Sequence, residues 1–449
     1  MKIQFLRVLA LLIVAVMVLS ACGGEATPTQ APEEEQPSEE VPVEEPEPPA
    51  AEAVEANIVH YYSGDLGRKD MQAIIDGFNA SQTECLVTDN TTGHEDFKTQ
   101  ILVMLAGENP PDIFSYWAGA RVQFVVDANR LMEISDFWDE NDLDNVILPG
   151  IQGAKDYNGG VYAVPQNYHF TGFFYNPKVM EAAGITEMPE TWDDLMVVAE
   201  TLKENDVYPF ALGSMDRWPA QFWFDFLVGY TAGHEYRAKL QAGEASFADP
   251  EVQEAMALWK ELVENEYFVP DANAYGWTDA ADQVANGDAA MHLMGTWTTG
   301  YWNDNGLVPG EDYDLLPFPV IDPAIPVATY GPVDAWAIPS DAANGDCAKA
   351  LLKWFLTPEM QAKWALGQGA LAATSTVDPS IYNVVLAKAN DLINSGTMWI
   401  PAYDLSTPPP NAEVGLNMFA QFMDDPANYV QWLEEAQEAS EAAFSALDQ

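Results

Sequence analysis

The chain has 449 residues, ample for two folded units of ordinary size. Its 70 acidic residues against 18 basic ones give a net charge of −52. That balance lacks the basic footprint nucleic-acid binding needs, and it disfavours long-range attraction of an anionic solute.

Lys2 and Arg7 precede an apolar run, Val8 to Leu19, which ends in Leu19-Ser-Ala-Cys22. Small residues directly before a cysteine follow the lipobox pattern of bacterial lipoproteins. Residues 1–21 therefore read as a signal peptide, and Cys22 as the lipidated first residue of the mature chain. The run is short for a transmembrane anchor. Residues 22–56 are mostly Glu, Pro and Ala. They hold too little apolar surface to offset chain entropy, so the expectation is a disordered acidic tether. Extended, it reaches at most ~100 Å at ~3.1 Å per residue.

From Asn57 the chain turns aromatic. Ile58 to Tyr62 reads as a strand, followed by Ser63-Gly-Asp-Leu-Gly67. Met71, Ile74, Ile75 and Phe78 then fall at helical spacing. Asp65 sits in a loop at the carboxyl end of that strand, where open α/β sheets bind ligands; a helix cap is an equally good reading. Glu95 to Leu105 is predicted helical, with Phe97, Ile101, Leu102 and Leu105 on one face. Ala106-Gly-Glu-Asn-Pro-Pro-Asp-Ile-Phe114 stops that helix and opens a strand. Trp117 and Arg121 follow it.

Gly159-Gly160 turns into a strand over Val161 to Val164, and Phe173 to Tyr175 forms another, closed by Asn176-Pro177. Lys178 to Ala183 reads as a short helix stopped by Gly184. Thr191 caps the next one, with Asp193 and Asp194 suited to its dipole. Pro165 and Gly172 punctuate this stretch as a chain crossing between lobes would. Met215-Asp-Arg-Trp-Pro219 reads as a loop. The aromatic run Gln221 to Tyr230 and the helix opened by Asp249-Pro250 read as core. Gln283 to Trp297 predicts a helix end, a Gly turn, an Ala-Met strand, and a Trp297 at the strand end. Val333, Ala335 and Ala337 alternate in a strand, with Asp334 or Trp336 facing a cleft and the other the packed side. Cys347 to Leu356 reads as helix, Ser406 to Asn411 as a Pro-rich loop, and Tyr429 to Leu447 as an amphipathic helix.

Three of these blocks carry a resemblance. They are Gly-Gly-Val-Tyr-Ala-Val-Pro165 through Pro189-Glu-Thr-Trp-Asp-Asp194, Ala106-Gly to Asp112-Ile, and Asn286-Gly-Asp-Ala-Ala-Met-His-Leu-Met-Gly-Thr-Trp297. The chain resembles the extracellular solute-binding proteins of ABC importers, in the family-1 group that includes maltose-binding protein. It departs by one added residue in the second block and by Val284 where the family commonly has Phe. The resemblance covers Asn57 to nearly the end. It implies an α/β, two-lobe periplasmic-binding-protein type II fold with a hinge and an interlobe ligand cleft. The implied first lobe takes residues 57–165 and 330–375, the second 166–329 and 376–449. It places Trp117, Arg121 and Trp218 at sugar-contact positions, with Trp297 stacked on the sugar. A sugar has an apolar ring face and a hydroxyl rim, which aromatic planes and charge-assisted hydrogen bonds match. The candidate set is accordingly Tyr62, Asp65, Glu95, Trp117, Arg121, Tyr168, His169, Trp218, Trp297, Asp334 and Trp336.

The implied function is capture of a carbohydrate and delivery to ABC permease subunits by a monomer, lipid-anchored through Cys22 on the extracellular or periplasmic side. A surface-anchored glycan-active enzyme and a sensory sugar-binding protein remain alternatives. No nucleotide-binding, Gly-x-Ser-x-Gly or His-Glu-x-x-His pattern is present, and no two of the five histidines stand at metal-ligand spacing. No cofactor, metal or catalysis is expected. Outside the cytoplasm Cys85 and Cys347 have only each other as partners, and family topology puts both in the first lobe. A disulfide and two separate buried thiols both stay open.

Overall fold

The computed structural model describes residues 53–63 and 65–447, without the side chains of Asp65 and Leu66. The signal-peptide reading, Cys22 and the tether before residue 53 lie outside that range. The end of the tether is corrected: the first strand is Val54–His60, so Val54 to Ala56 are ordered. They pair in parallel with Cys85 to Val87 of strand Cys85–Thr91. An available partner strand supplies the backbone hydrogen bonds that composition alone does not predict.

Six strands form the larger sheet, in the order Leu371–Ala372, Ala163–Tyr168, Val333–Ala337, Ile113–Trp117, Val54–His60 and Cys85–Thr91. The last three run parallel, and the returning strand Val333–Ala337 is antiparallel to both its neighbours. Ile113–Trp117 is buried at every position, as expected of a strand covered on both faces. The smaller sheet orders Asp314–Leu316, Thr171–Tyr175, Ala289–Gly295 and Tyr208–Ala211.

Each sheet organises its own core. One gathers buried side chains from Ala56 to Tyr168 and from Val333 to Ala373, plus Leu405. The other gathers them from Phe170 to Tyr330 and from Val385 to Ala436. Besides a passage between Ala373 and Val385, the chain passes between the cores at His169 and again at Pro332. These crossings touch: a Cβ on Gly331 would lie 2.6 Å from the His169 carbonyl oxygen, so only glycine fits. Beside them Thr329 Oγ accepts from the Thr171 N–H (2.8 Å) and donates to the Thr171 carbonyl (2.9 Å).

Cys85 and Cys347 form a disulfide, with Cα atoms 5.8 Å apart across a sequence separation of 262. It ties an edge strand to helix Gly345–Phe355. Thr191 caps helix Trp192–Glu204 in a reciprocal capping box with Asp194. One local expectation is corrected. The segment 406–411 is not a loop: Tyr403–Ser406 is helical, and helix Pro409–Asp424 opens on its prolines, which suit a first turn. Trp297 is presented just past the end of strand Ala289–Gly295, as expected, and opens helix Trp297–Asp304. Among the described residues no helix is long and apolar enough to cross a membrane.

Candidate functional site

A cavity of about 580 Å³ is lined by residues from both cores. Its volume falls within the ~300–1,000 Å³ range of small-molecule sites. The first core contributes residues just past strand ends, as open α/β sheets do. Tyr61 and Tyr62 follow Val54–His60, and Trp117 closes Ile113–Trp117. His94 and Lys98 come from the first turns of helix His94–Ala106. The second core contributes helix starts. Trp218, Gln221 and Phe222 lie where a single 3₁₀ turn runs into helix Gln221–Thr231. Trp277 opens helix Trp277–Asn286, and Trp297 opens its own. Asp404 and Leu405 reach in from the short helix Tyr403–Ser406.

Aromatic rings run across the cavity wall in unbroken contact. Tyr61 stacks on Trp117 at 4.4 Å and 19°. His94 lies 5.0 Å from Trp117 and 6.0 Å from Trp218, so it joins the two sides. Trp218 meets Trp297 at 5.9 Å, and Trp297 meets His169 edge-on at 5.0 Å. Fixed ring planes of this kind cover apolar ligand faces at small entropic cost.

Asp334 organises the polar floor. It is buried, and its two oxygens accept from Tyr61 Oη (2.6 Å) and Asn167 Nδ2 (2.6 Å). His169 Nε2 lies 3.3 Å from the second oxygen, and His169 Nδ1 contacts Thr296 Oγ at 2.8 Å. Burial, with the Asp334 charge beside it, pushes the Tyr61 phenol far above its ordinary range and keeps it a donor. Tyr62 is pushed up in the same way and donates to Gln166 Oε1 at 3.1 Å.

The cations around the cavity are already matched. Lys98 Nζ donates to both oxygens of Glu95, at 3.0 and 2.9 Å. Burial alone would raise the Glu95 carboxyl; the hydrogen bond from His94 and the Lys98 charge reverse this and hold it down at about 2. Arg121 Nη2 donates to Asp404 Oδ2 at 2.9 Å, joining side chains from the two cores. Leu405 sits so close to helix Ala120–Asp127 that a Cβ on Gly119 would lie 2.3 Å from its carbonyl oxygen; Gly119, at φ +105°, also needs glycine. Asp216 is half-buried, and burial followed by the nearby Glu95 charge raises its carboxyl.

Of the residues singled out by sequence, the structure brings Tyr62, Trp117, His169, Trp218, Trp297 and Asp334 to this one cavity. The Asp65 side chain is outside the described range. Four are corrected as lining residues. Glu95 and Arg121 do not line the cavity, but each is paired with a residue that does, Lys98 and Asp404. Tyr168 is buried in the first core, turned by strand alternation away from Asn167. Trp336 packs edge-on against Phe355 at 5.5 Å, deeper in the sheet than Asp334. Sequence reasoning missed Tyr61, His94, Lys98, Gln221, Trp277, Gln368 and Asp404. Tyr61 was legible as the neighbour of Tyr62; Gln368 and Asp404 carry no local signal. Among the described residues no group of three or more His, Cys, Asp or Glu side chains is arranged to hold a metal ion.

The comparisons with known proteins agree with this architecture. A profile described as bacterial extracellular solute-binding protein matches residues 64–362. An "Uncharacterized ABC transporter extracellular-binding protein" of Pyrococcus horikoshii is 31% identical over 355 residues, covering 78% of each chain. A "Probable sugar-binding periplasmic protein" of Mesorhizobium japonicum is 25% identical over 303 residues, covering 65% of this chain and 71% of its own. Among solved structures, the bacterial solute receptor AcbH, described with an exclusive preference for β-D-galactopyranose, superposes with a TM-score of 0.80. It is 25% identical, and the match covers 88% of this chain and 99% of that one. A two-lobe α/β frame, a cavity walled by both cores and a profile match over most of the chain converge: this protein belongs to the bacterial extracellular solute-binding proteins.

Proposed function

We propose that the protein captures a carbohydrate in this cleft and delivers it, chemically unchanged, to an ABC permease. The observation that carries the reading is the pairing of ring planes with hydrogen-bonding groups in one cavity. Trp117, Trp218 and Trp297 offer apolar faces, while Asp404, Asp216, Gln221 and Lys98 offer a polar rim. Relatives named for sugar binding support the same ligand class. Tyr62, Trp117, His169, Trp218, Trp297 and Asp334 are then ligand-facing residues, and Glu95 and Arg121 position the rim from behind. The lobes, about 53–168 with 333–382 and 169–332 with 383–447, close on the sugar about the crossings at His169 and Pro332.

No catalytic step is needed for this role. Asp334 and Asp404 are tied up in hydrogen bonds and an ion pair, which suits acceptors better than proton-transfer groups. The protein works as a monomer held to the outer face of a membrane by lipid on Cys22, with the acidic segment before residue 53 as its spacer. Calorimetric titration against neutral mono- and oligosaccharides, with amino acids as controls, tests the reading. Saturable binding of a sugar recovered intact is expected. Binding confined to non-sugar solutes, or release of cleaved sugar, would overturn it.

A further inference from the structure

The charges around the cavity do not balance once each ion pair is counted. Lys98 is held by both oxygens of Glu95, and Arg121 by Asp404. Arg217, next to Asp216, turns away to Glu413 (2.8 Å) and to Asn417 Oδ1 (2.6 Å). The lining carboxylates Asp216 and Asp334 are left without a Lys or Arg partner. Asp334 is at least bonded through both oxygens to Tyr61 and Asn167. Asp216 has no side-chain hydrogen bond or ion pair among the described residues, is half-buried, and faces the site where the loop 215–217 meets Trp218. Burial, followed by the Glu95 charge, raises its carboxyl, while His94, Lys98 and Arg217 pull it down.

We propose that Asp216 is a specificity-determining residue, one that makes this cleft reject acidic saccharides, uronates and sugar phosphates alike, in favour of uncharged ones. The inference rests on the carbohydrate reading above and narrows it. A carboxylate on the ligand would be held near a carboxylate with no direct hydrogen-bond or ion-pair partner, in a partly desolvated site. Neutral hydroxyls instead donate to Asp216 and give it the partner it lacks. At a separation of about 10 Å and an effective dielectric constant near 20, like unit charges disfavour binding by about tenfold or more.

The test uses pairs that differ only by oxidation at C6: glucose with glucuronate, galactose with galacturonate, and digalactose with digalacturonate. Affinities are measured by calorimetry at pH 7 in about 20 mM and about 500 mM NaCl. The quantity read is the ratio of neutral to acidic affinity, so a general weakening by the variant cancels. The wild-type protein should favour the neutral member by about tenfold or more at low salt, and Asp216→Asn should narrow the ratio by about tenfold. Added salt should narrow the wild-type ratio as well, since it screens the whole acidic surface, and Asp216→Ser, expected to narrow the ratio like Asp216→Asn, decides the matter if Asp216→Asn does not fold. Equal wild-type affinity within a pair, or a ratio untouched by Asp216→Asn in a folded variant whatever salt does, overturns the inference and leaves the carbohydrate reading standing. Failure to bind any member of any pair removes the carbohydrate reading for these sugars, and this inference with it.

Discussion

Two tryptophans on one short helix separate binding from folding. Trp297 opens helix Trp297–Asp304 half-buried at the cavity, against His169, Trp218 and Phe222. Trp302, on the same helix, is 0% exposed, packs on Tyr313 at 4.9 Å and donates from Nε1 to the Ala281 carbonyl. An indole buries about 200 Å² in all, and a sugar laid on one face covers about a third of it. At ~25 cal/mol per Å² that is about 1.7 kcal/mol, or about fifteenfold in affinity. Trp297→Ala is therefore expected to weaken sugar binding about fifteenfold and to lower stability little. Trp302→Ala should cost about 3–5 kcal/mol of stability through the cavity it leaves. Calorimetric affinity and urea unfolding, run on both variants, read the two effects. Unchanged affinity in Trp297→Ala, or a stability loss in it equal to that of Trp302→Ala, would refute the reasoning.

Three further predictions address the frame around the site. Cys347→Ser opens a loop of 262 residues and should lower stability by up to about 5 kcal/mol; an unshifted urea midpoint would contradict this. His292 is fully buried, donates from Nδ1 to the Ala211 carbonyl at 3.0 Å, and burial lowers its imidazole to about 4. The unfolded chain then binds the extra proton first, so stability present above pH ~6.5 falls by on the order of 3 kcal/mol towards pH ~4. His292→Gln should flatten that part of the pH–stability curve, and an equal acid loss in the variant would speak against His292. Cys22→Ala should move the protein from membranes to the soluble fraction, and a processed variant still pelleting with membranes would remove the anchor from the account.

The parts of the fold written in local periodicity were readable in advance. The strand around Val333 to Ala337, the Thr191 cap and the closing helix Tyr429–Leu447 stand as their patterns imply. The site was legible where it hangs on strand ends and crossings, as at Tyr62, Trp117 and Asp334. Chain parity misled at Tyr168, where alternation decides the face, and at Trp336, which lies two residues deeper on a strand whose register shifts between Asp334 and Ala335. Asp404 and Gln368 reach the cavity only through tertiary packing. No spacing along the chain announces that a turn of helix near residue 404 will meet Arg121, 283 residues earlier. Glu95 and Arg121 have the chemistry of ligand contacts, yet each meets an oppositely charged neighbour first. A partner contributed by folding changes what a charged side chain is free to do.

Native mass spectrometry of the mature protein, mixed with an equimolar library of neutral oligosaccharides, tests capture between the lobes most directly. One intact sugar per protein chain is expected, at unchanged mass, lost when Trp117→Ala and Trp297→Ala are combined in a variant that unfolds at the wild-type urea midpoint. A sugar retained by that folded double variant, or a wild-type protein that returns only shortened sugars, would contradict it.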